Sequence, residues 1–274
     1  MSKERDLLEL GKGLLSPVER FHIRVARRSL QPGALDKTMR LLQRHLGANW
    51  IDLSIRNLRH VHGLERVPQL RPQDSVICVA NHRSFFDLYL ISSYLVKRGM
   101  TQRLMFPVRS QFFYDKRLGF VVNGAVSFFA MYPPVFRERE RAALNLATLD
   151  ETARLLKQGG AFVGLHPEGQ RNKGDDPYSL LPAQSGVGRV IHDAKVMVLP
   201  VFVNGLINDF TKQISTNFTR SGTPIIAVFG EPIDFGGMLQ EPPSPRLFKR
   251  ISERTLEVIG KLGEEERKYR RDLS

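Results

Sequence analysis

The chain has 274 residues and carries 41 Lys+Arg against 28 Asp+Glu, a formal net charge of +13. At 42% hydrophobic and 25% charged it sits among globular proteins and away from disordered ones, long enough for one large domain or a domain with an appendage. A single cysteine, Cys78, excludes an internal disulfide framework. The charge admits nucleic acid, an anionic membrane surface or a phosphorylated small molecule as partner, and composition does not choose among them.

Residues 1–58 read as a helical N-terminal segment. Its start lacks the apolar core and small-residue cleavage site of a secretory signal, so no signal peptide is expected. Ser16-Pro17-Val18-Glu19 is a capping box with proline at the first helical position. Val18, Phe21 and Val25 then recur at helical spacing among Arg20, Arg24, Arg27 and Arg28, and Leu35, Met39, Leu42 and Leu46 form a second stripe that Gly47 is expected to end. Basic amphipathic helices of this kind either pack on the rest of their domain or lie on anionic lipid.

From Ser75 short apolar runs alternate with helical ones. Strands are predicted at Val76–Ala80, Leu104–Val108, Ser127–Met131, Ala161–Leu165, Val196–Val203 and Pro224–Gly230. Helices are predicted at Phe85–Val96, Arg141–Lys157, Gly186–Ala194 and Arg246–Leu262. The pattern describes an α/β fold: a mixed, mostly parallel sheet flanked by helices, over residues 59–262, followed by a charged tail at 263–274. Leu118–Phe136 is free of charge but interrupted by glycine, asparagine and two prolines, which favours a buried or interfacial segment over a membrane span.

Chemistry concentrates where strands run out into loops. After the first strand comes Asn81-His82-Arg83-Ser84-Phe85-Phe86-Asp87. His82 and Asp87 can meet only if the histidine lies in the turn and the aspartate in the first helical turn, with Asn81 or Ser84 capping that helix. A carboxylate on one imidazole nitrogen fixes the tautomer and leaves the other as a base near neutral pH. A His–Asp pair can equally just close a turn. A second strand exit carries His166-Pro167-Glu168-Gly169-Gln170-Arg171, a sharp turn whose arginine suits phosphate recognition, or a surface turn with a salt bridge. Arg137 opens the charged run Arg137–Arg141, which reads equally as a solvated helix start. Pro200 falls within a strand run, which points to an edge or an irregular point. His60 and His62 share a strand face, but no third ligand stands at fitting spacing, so no metal site is expected.

Taken in order, these blocks make the sequence resemble the glycerolipid acyltransferase family, the lysophosphatidic acid and glycerol-3-phosphate acyltransferases, over about residues 60–235. Asn81-His82 and Asp87 match its Asn-His-x4-Asp block. Arg137 falls at its second block. Pro167-Glu168-Gly169-Gln170-Arg171 matches Pro-Glu-Gly-Thr-Arg, and Pro200 lies in its apolar fourth block. The departures are His166, where the family usually has Phe, and Gln170 in place of Thr.

The resemblance implies acyl transfer from a thioester, acyl-CoA or acyl-carrier protein, to a lysophospholipid hydroxyl, foremost 1-acyl-glycerol 3-phosphate. It implies His82 as base steadied by Asp87, a substrate-binding set of Arg137, Glu168, Gly169 and Arg171, and an acyl-chain groove with Phe85, Phe86 and Pro200. Glu168 would orient the acceptor's glycerol and the arginines its phosphate. No cofactor beyond the thioester cosubstrate is implied. Other acceptors within the family are a lyso-aminolipid, another lysolipid or glycerol 3-phosphate. With the positive charge and the aromatic–basic interleaving from Phe112 to Arg141, the expected location is peripheral or monotopic on the cytoplasmic face of a membrane, against an anionic surface. A non-catalytic basic membrane- or nucleic-acid-binding protein is the rival of another class. No zinc finger, RNA-recognition signature or helix-turn-helix is evident, so no nucleic acid is expected as a partner.

Overall fold

A computed structural model describes residues 6–273. Its strands are β1 (Arg59–His62), β2 (Val76–Ala80), β3 (Arg103–Met105), β4 (Val108–Arg109), β5 (Pro134–Val135), β6 (Ala161–Leu165), β7 (Met197–Asn204) and β8 (Ile225–Phe229). Its helices are α1 (Leu7–Leu10), α2 (Pro17–Ser29), α3 (Ala34–Leu42), α4 (Ala48–Ile55), α5 (Asp87–Lys97), α6 (Ser110–Phe113), α7 (Arg117–Ala125), α8 (Leu144–Lys157), α9 (Ser185–Ala194), α10 (Phe210–Thr219) and α11 (Pro245–Asp272).

Six strands form one sheet in the order β1-β8-β7-β2-β6-β3, parallel throughout except between β7 and β8. β4 and β5 pair separately, in parallel. Every residue of β2, β6 and β8 is buried, which is why their sequences are continuous apolar runs instead of alternating ones. α8 packs against α9 and β6, and Leu88 of α5 reaches Gly164 of β6. α11 packs against α9, β7 and β8, and α4 against α5. The α9–α11 crossing is a backbone contact: a Cβ on Gly188 would lie 1.9 Å from the Phe248 carbonyl oxygen, and the Gly188 N–H donates to Ser252 Oγ at 2.8 Å.

The mixed, mostly parallel sheet and the helical N-terminus are as expected, and the Ser16–Glu19 capping box forms in both directions. Several details differ. Pro107 splits the expected Leu104–Val108 strand into β3 and β4, because proline has no N–H for a ladder. Ser127–Met131 is not a strand but a tight turn. Phe128 and Phe129 both adopt positive φ there, and the Phe128 carbonyl accepts from buried Gln43 and Arg103. α8 starts at Leu144, after a 3-10 turn at Arg139–Arg141. Residues 263–272, expected as a charged tail, continue α11 without a break. Leu262, Gly263 and Glu266 stay buried on its inner face, and Arg270 pairs with Glu266 one turn on.

The N-terminal stripes point the other way from a simple amphipathic reading. Gly47 does not end a helix: a π turn at Gln43–Gly47 carries α3 into α4. Phe21 is 54% exposed, and Leu35 and Leu46 are exposed as well. The inward residues are Glu19, His22, Ile23, Ala26 and Ser29 on α2, then Asp36 and Gln43; the polar Glu19, Asp36 and Gln43 answer polar groups of the domain beneath. Glu19 pairs with Arg141, Asp36 with buried Arg103, and Gln43 brackets the Leu104 peptide.

Pro200 lies in an interior strand and not at an edge. It pairs with Val79 of β2, and the irregular point is the end of β8, whose last residue precedes Gly230; the Gly230 N–H donates to the Pro200 carbonyl. The uncharged run Leu118–Phe136 is divided among α7, the turn and β5, and among the described residues no helix is long and apolar enough to cross a membrane.

Candidate active site

The site is built at the carboxyl ends of β2, β6 and β7, where three loops leave the sheet. Asn81, fully buried at the end of β2, does not cap α5. Its amide donates to the Val203 carbonyl at 2.9 Å and accepts from the Val203 N–H at 2.8 Å, tying the β2 exit to β7. His82 follows in the turn, and Asp87 is the first residue of α5. His82 Nδ1 lies 3.2 Å from Asp87 Oδ2. The same oxygen accepts from the backbone N–H groups of Arg83 at 2.9 Å and Ser84 at 2.8 Å, so Asp87 itself closes the turn. The pairing and the turn closure that the spacing left as alternatives are both present. Asp87 is 1% exposed, and its Oδ1 has no hydrogen-bond partner among the described residues.

β6 leads into the second loop. Gly169 holds φ at +68°, and a Cβ there would meet Gln184 Cγ at 2.6 Å, so the Pro-Glu-Gly turn needs glycine at this point. Glu168 does not face open space as a ligand for a glycerol would. It is 1% exposed, Oε1 accepts from the His82 N–H at 2.7 Å and Oε2 from the Leu181 N–H at 2.8 Å. The Asn172 N–H donates to the His82 carbonyl at 2.8 Å, so both polar backbone groups of His82 are held by the second loop. Arg137 Nη2 donates to the Gly169 carbonyl at 3.2 Å, which brings this arginine to the same corner. Arg171 Nη1 donates to Asn208 Oδ1 at 2.7 Å, and that oxygen also accepts from the Phe85 N–H at 3.2 Å. Sequence reasoning passed over Asn208, which sits in the loop after β7 with no motif to mark it.

The electrostatics favour a neutral imidazole. Burial, with the positive charges of Arg171 and Arg137 behind it, pushes His82 down to about 4. Burial pushes Asp87 up to about 6, against the lowering effect of His166 and the two backbone N–H groups. Burial also raises Glu168 and lifts the Cys78 thiol far above its usual range. Cys78 lies within β2, so it presents no thiolate nucleophile.

Two cavities lie beside the His82–Asp87 turn, one lined by its Phe85 and the other by its Arg83. One, of about 290 Å³, is mostly apolar and lined by Phe85, Phe112, Phe113, Leu118, Gly119 and Val122, with Lys116 as its one charged residue. The other, of about 490 Å³, contains Arg83, Arg171, Lys173, Asn204, Asn208 and Thr223. Phe86 packs edge-on against Phe85, with ring centroids 5.4 Å apart. Pro200 is not brought to the apolar cavity; it stays in the sheet interior. Phe120 stacks on His22 and Phe128 is buried by Gly47, so these rings join the N-terminal helices to the domain instead of lining the cavity.

His82, Asp87 and His166 bring three potential metal-ligand atoms within 4.8 Å of one another. The imidazole planes of His82 and His166 are stacked 8° from parallel at 3.7 Å. In-plane lone pairs of two such rings do not converge on one ion, so this geometry is poor for a metal. His62, the other histidine of interest, stacks on Tyr269 at 3.7 Å.

An α/β sheet with a His–Asp pair at its carboxyl edge, in a turn that contributes to an apolar and a basic cavity, has the architecture of a ligand-binding and catalytic site. The family model described as Acyltransferase matches residues 58–204, more than half of the chain, and the chain belongs to that family. It is 25% identical over 177 residues to the 1-acyl-sn-glycerol-3-phosphate acyltransferase of Haemophilus influenzae, a match covering 64% of this chain; the chain spans 65% of the length of that relative. Among solved structures it is similar to the 1-acyl-sn-glycerophosphate (LPA) acyltransferase PlsC from Thermotoga maritima, with TM-score 0.54, 19% identity, and coverage of 91% of this chain and 95% of the other. At that identity the likeness is one of fold.

Proposed function

We propose that the chain transfers a fatty acyl group from a thioester to a hydroxyl of a lysophospholipid, foremost 1-acyl-glycerol 3-phosphate. The observation that carries this reading is the His82–Asp87 pair in a turn whose Phe85 and Arg83 line the two cavities. With Asp87 on Nδ1, the proton of the neutral ring sits on Nδ1 and Nε2 is the free base. The acceptor oxygen attacks the thioester carbonyl carbon while Nε2 takes its proton. The C–S bond then breaks, and the imidazolium returns the proton to the departing thiolate. Asp87 stabilises the imidazolium and holds the ring. Direct transfer fits a site whose cysteine is inert.

The charges of Arg171 and Arg137 lower the basicity of His82, and these two arginines, at the corner of the Pro167–Arg171 turn, are the groups to bind the acceptor phosphate. Glu168, with both oxygens on backbone N–H groups, serves as a brace of the His82 turn. The acyl chain suits the apolar cavity beside Phe85. The donor is acyl-CoA or acyl-carrier protein, with no further cofactor.

A membrane surface supplies the acceptor. α7 is inverted: Gly119 and Asn123 face inward, while Leu118 (72% exposed), Val121 and Val122 face out beside Phe112 (62% exposed). Lys116 and Arg117 stand at its start. Leu118, Val122 and Phe112 also line the apolar cavity, so a chain can pass between the lipid and the site. This supports peripheral attachment to anionic lipid.

The test is release of free thiol from palmitoyl-CoA or palmitoyl-acyl-carrier protein with a panel of acceptors: 1-acyl-glycerol 3-phosphate, other lysolipids, a lyso-aminolipid and glycerol 3-phosphate. The first is expected to be the best acceptor. His82→Ala should lower kcat by about 10²–10⁴, the usual worth of a general base, and Arg171→Ala should chiefly raise the acceptor KM. Undiminished transfer by His82→Ala would overturn the assignment.

A further inference from the structure

Asp87 alone does not hold the His82 ring firmly. The Nδ1 contact is 3.2 Å, longer than the roughly 2.7–2.9 Å of a strong charge-assisted bond. Asp87 Oδ2 divides itself among that ring nitrogen and two backbone N–H groups. A single long bond at one ring edge leaves the imidazole free to rock. The second restraint is His166, the residue that stands where the family usually has Phe. Its ring lies flat on that of His82, 3.7 Å between centroids and 8° from parallel. Its Nδ1 is 3.0 Å from the Ala80 carbonyl oxygen, which accepts its proton and pins the ring.

We propose that His166 is a positioning residue for the acyl transfer proposed above: its ring, anchored to the Ala80 carbonyl, is the flat support that holds the His82 imidazole in the orientation Asp87 sets. His166 takes no proton in this role. Burial and the neighbouring His82 push it down to about 3, so it stays neutral at the pH where the base works. Asp87, also close to it, pulls the other way without overcoming them. A neutral ring presents an aromatic face to His82 whether that ring is imidazole or imidazolium.

The inference rests on His82 being the base, and two variants separate ring from hydrogen bond. His166→Phe keeps a flat ring and loses the bond to Ala80; His166→Gln keeps a donor for Ala80 and loses the ring. With palmitoyl-CoA and 1-acyl-glycerol 3-phosphate, kcat should fall about five- to twentyfold in His166→Gln, with both KM values unchanged, and by less than about threefold in His166→Phe. A readout free of substrate accompanies this. In ¹⁵N-labelled protein the His82 imidazole should hold one tautomer, with its proton on Nδ1, in the unmodified chain and in His166→Phe. It should average between tautomers in His166→Gln. Equal kcat in the unmodified chain and His166→Gln, a greater loss in the Phe variant than in the Gln variant, or an unchanged His82 tautomer signal in His166→Gln would each overturn the proposal. Full activity in His82→Ala would instead overturn the reading of the base, while the tautomer signal would still report on the support.

Discussion

At the scale of the residue, the central fact is how many groups the chain spends on one imidazole. His82 is held at its N–H by Glu168, at its carbonyl by the Asn172 N–H, and at Nδ1 by Asp87. In the proposed mechanism its working form is the neutral base, and the sign of the pH effect follows from that. As pH falls through about 6, Asp87 gains a proton and no longer steadies an imidazolium. As it falls through about 4, His82 is itself protonated and cannot accept the acceptor's proton. A rate profile taken between pH 4 and 8 should therefore be flat at neutral pH and lose activity on the acid side within that window. An acid limb centred at 7 or above would contradict the burial of the pair.

At the scale of the element, the turns matter more than the strands they leave. Glu168 is a side chain standing in for a missing strand partner: it satisfies two backbone donors from loops that have no ladder of their own. Glu168→Ala would leave both N–H groups buried and unpaired, at a cost of about 2–4 kcal/mol. The midpoint of urea unfolding should drop accordingly, and a change of less than about 0.5 kcal/mol would show that water replaces the carboxylate without penalty. The α9–α11 crossing supplies a second case, remote from the site. Gly188→Ala places a methyl group against the Phe248 carbonyl, so the helices must move apart, costing about 1–3 kcal/mol or more. That loss should appear in unfolding, with KM for both substrates little altered if the α9–α11 face is independent of the His82 turn.

At the scale of the whole molecule, charge and exposed apolar surface act together. The +13 net charge is spread along the chain, while α7 offers outward leucine and valine beside the apolar cavity. Co-flotation with phosphatidylglycerol-containing vesicles should be strong at low salt and weaken toward about 1 M salt, where the screening length is about 3 Å. Leu118→Asp should reduce binding at every salt concentration without lowering thermal stability, since the side chain is already in water. Vesicle binding that is indifferent to this substitution would place the contact surface elsewhere.

The sequence alone determined a mostly parallel sheet flanked by helices and the candidate site residues at its strand exits. Short continuous apolar runs such as Val76–Ala80 and Ala161–Leu165, bounded by turn signals, fit buried strands, and His82, Asp87 and the Pro167–Arg171 turn stand at their exits, where spacing and the resemblance mark them. What it could not reveal depended on residues far apart in the chain. Beside Ile23 and Ala26, α2, α3 and the π turn bury Glu19, Asp36 and Gln43 because Arg141, Arg103 and the Leu104 peptide wait beneath them, so hydrophobic periodicity pointed to the wrong face. Pro107 and the Phe128 turn broke strands that local propensity would have continued. The resemblance gave Glu168 a substrate role, and nothing local says that the N–H groups of His82 and Leu181 converge on it. Asn208 and the stacking of His166 on His82 exist only once β2, β6 and β7 are side by side. Periodicity and motif spacing are properties of neighbours along the chain, whereas the pairing of buried polar groups is settled by which distant segments the fold brings into contact.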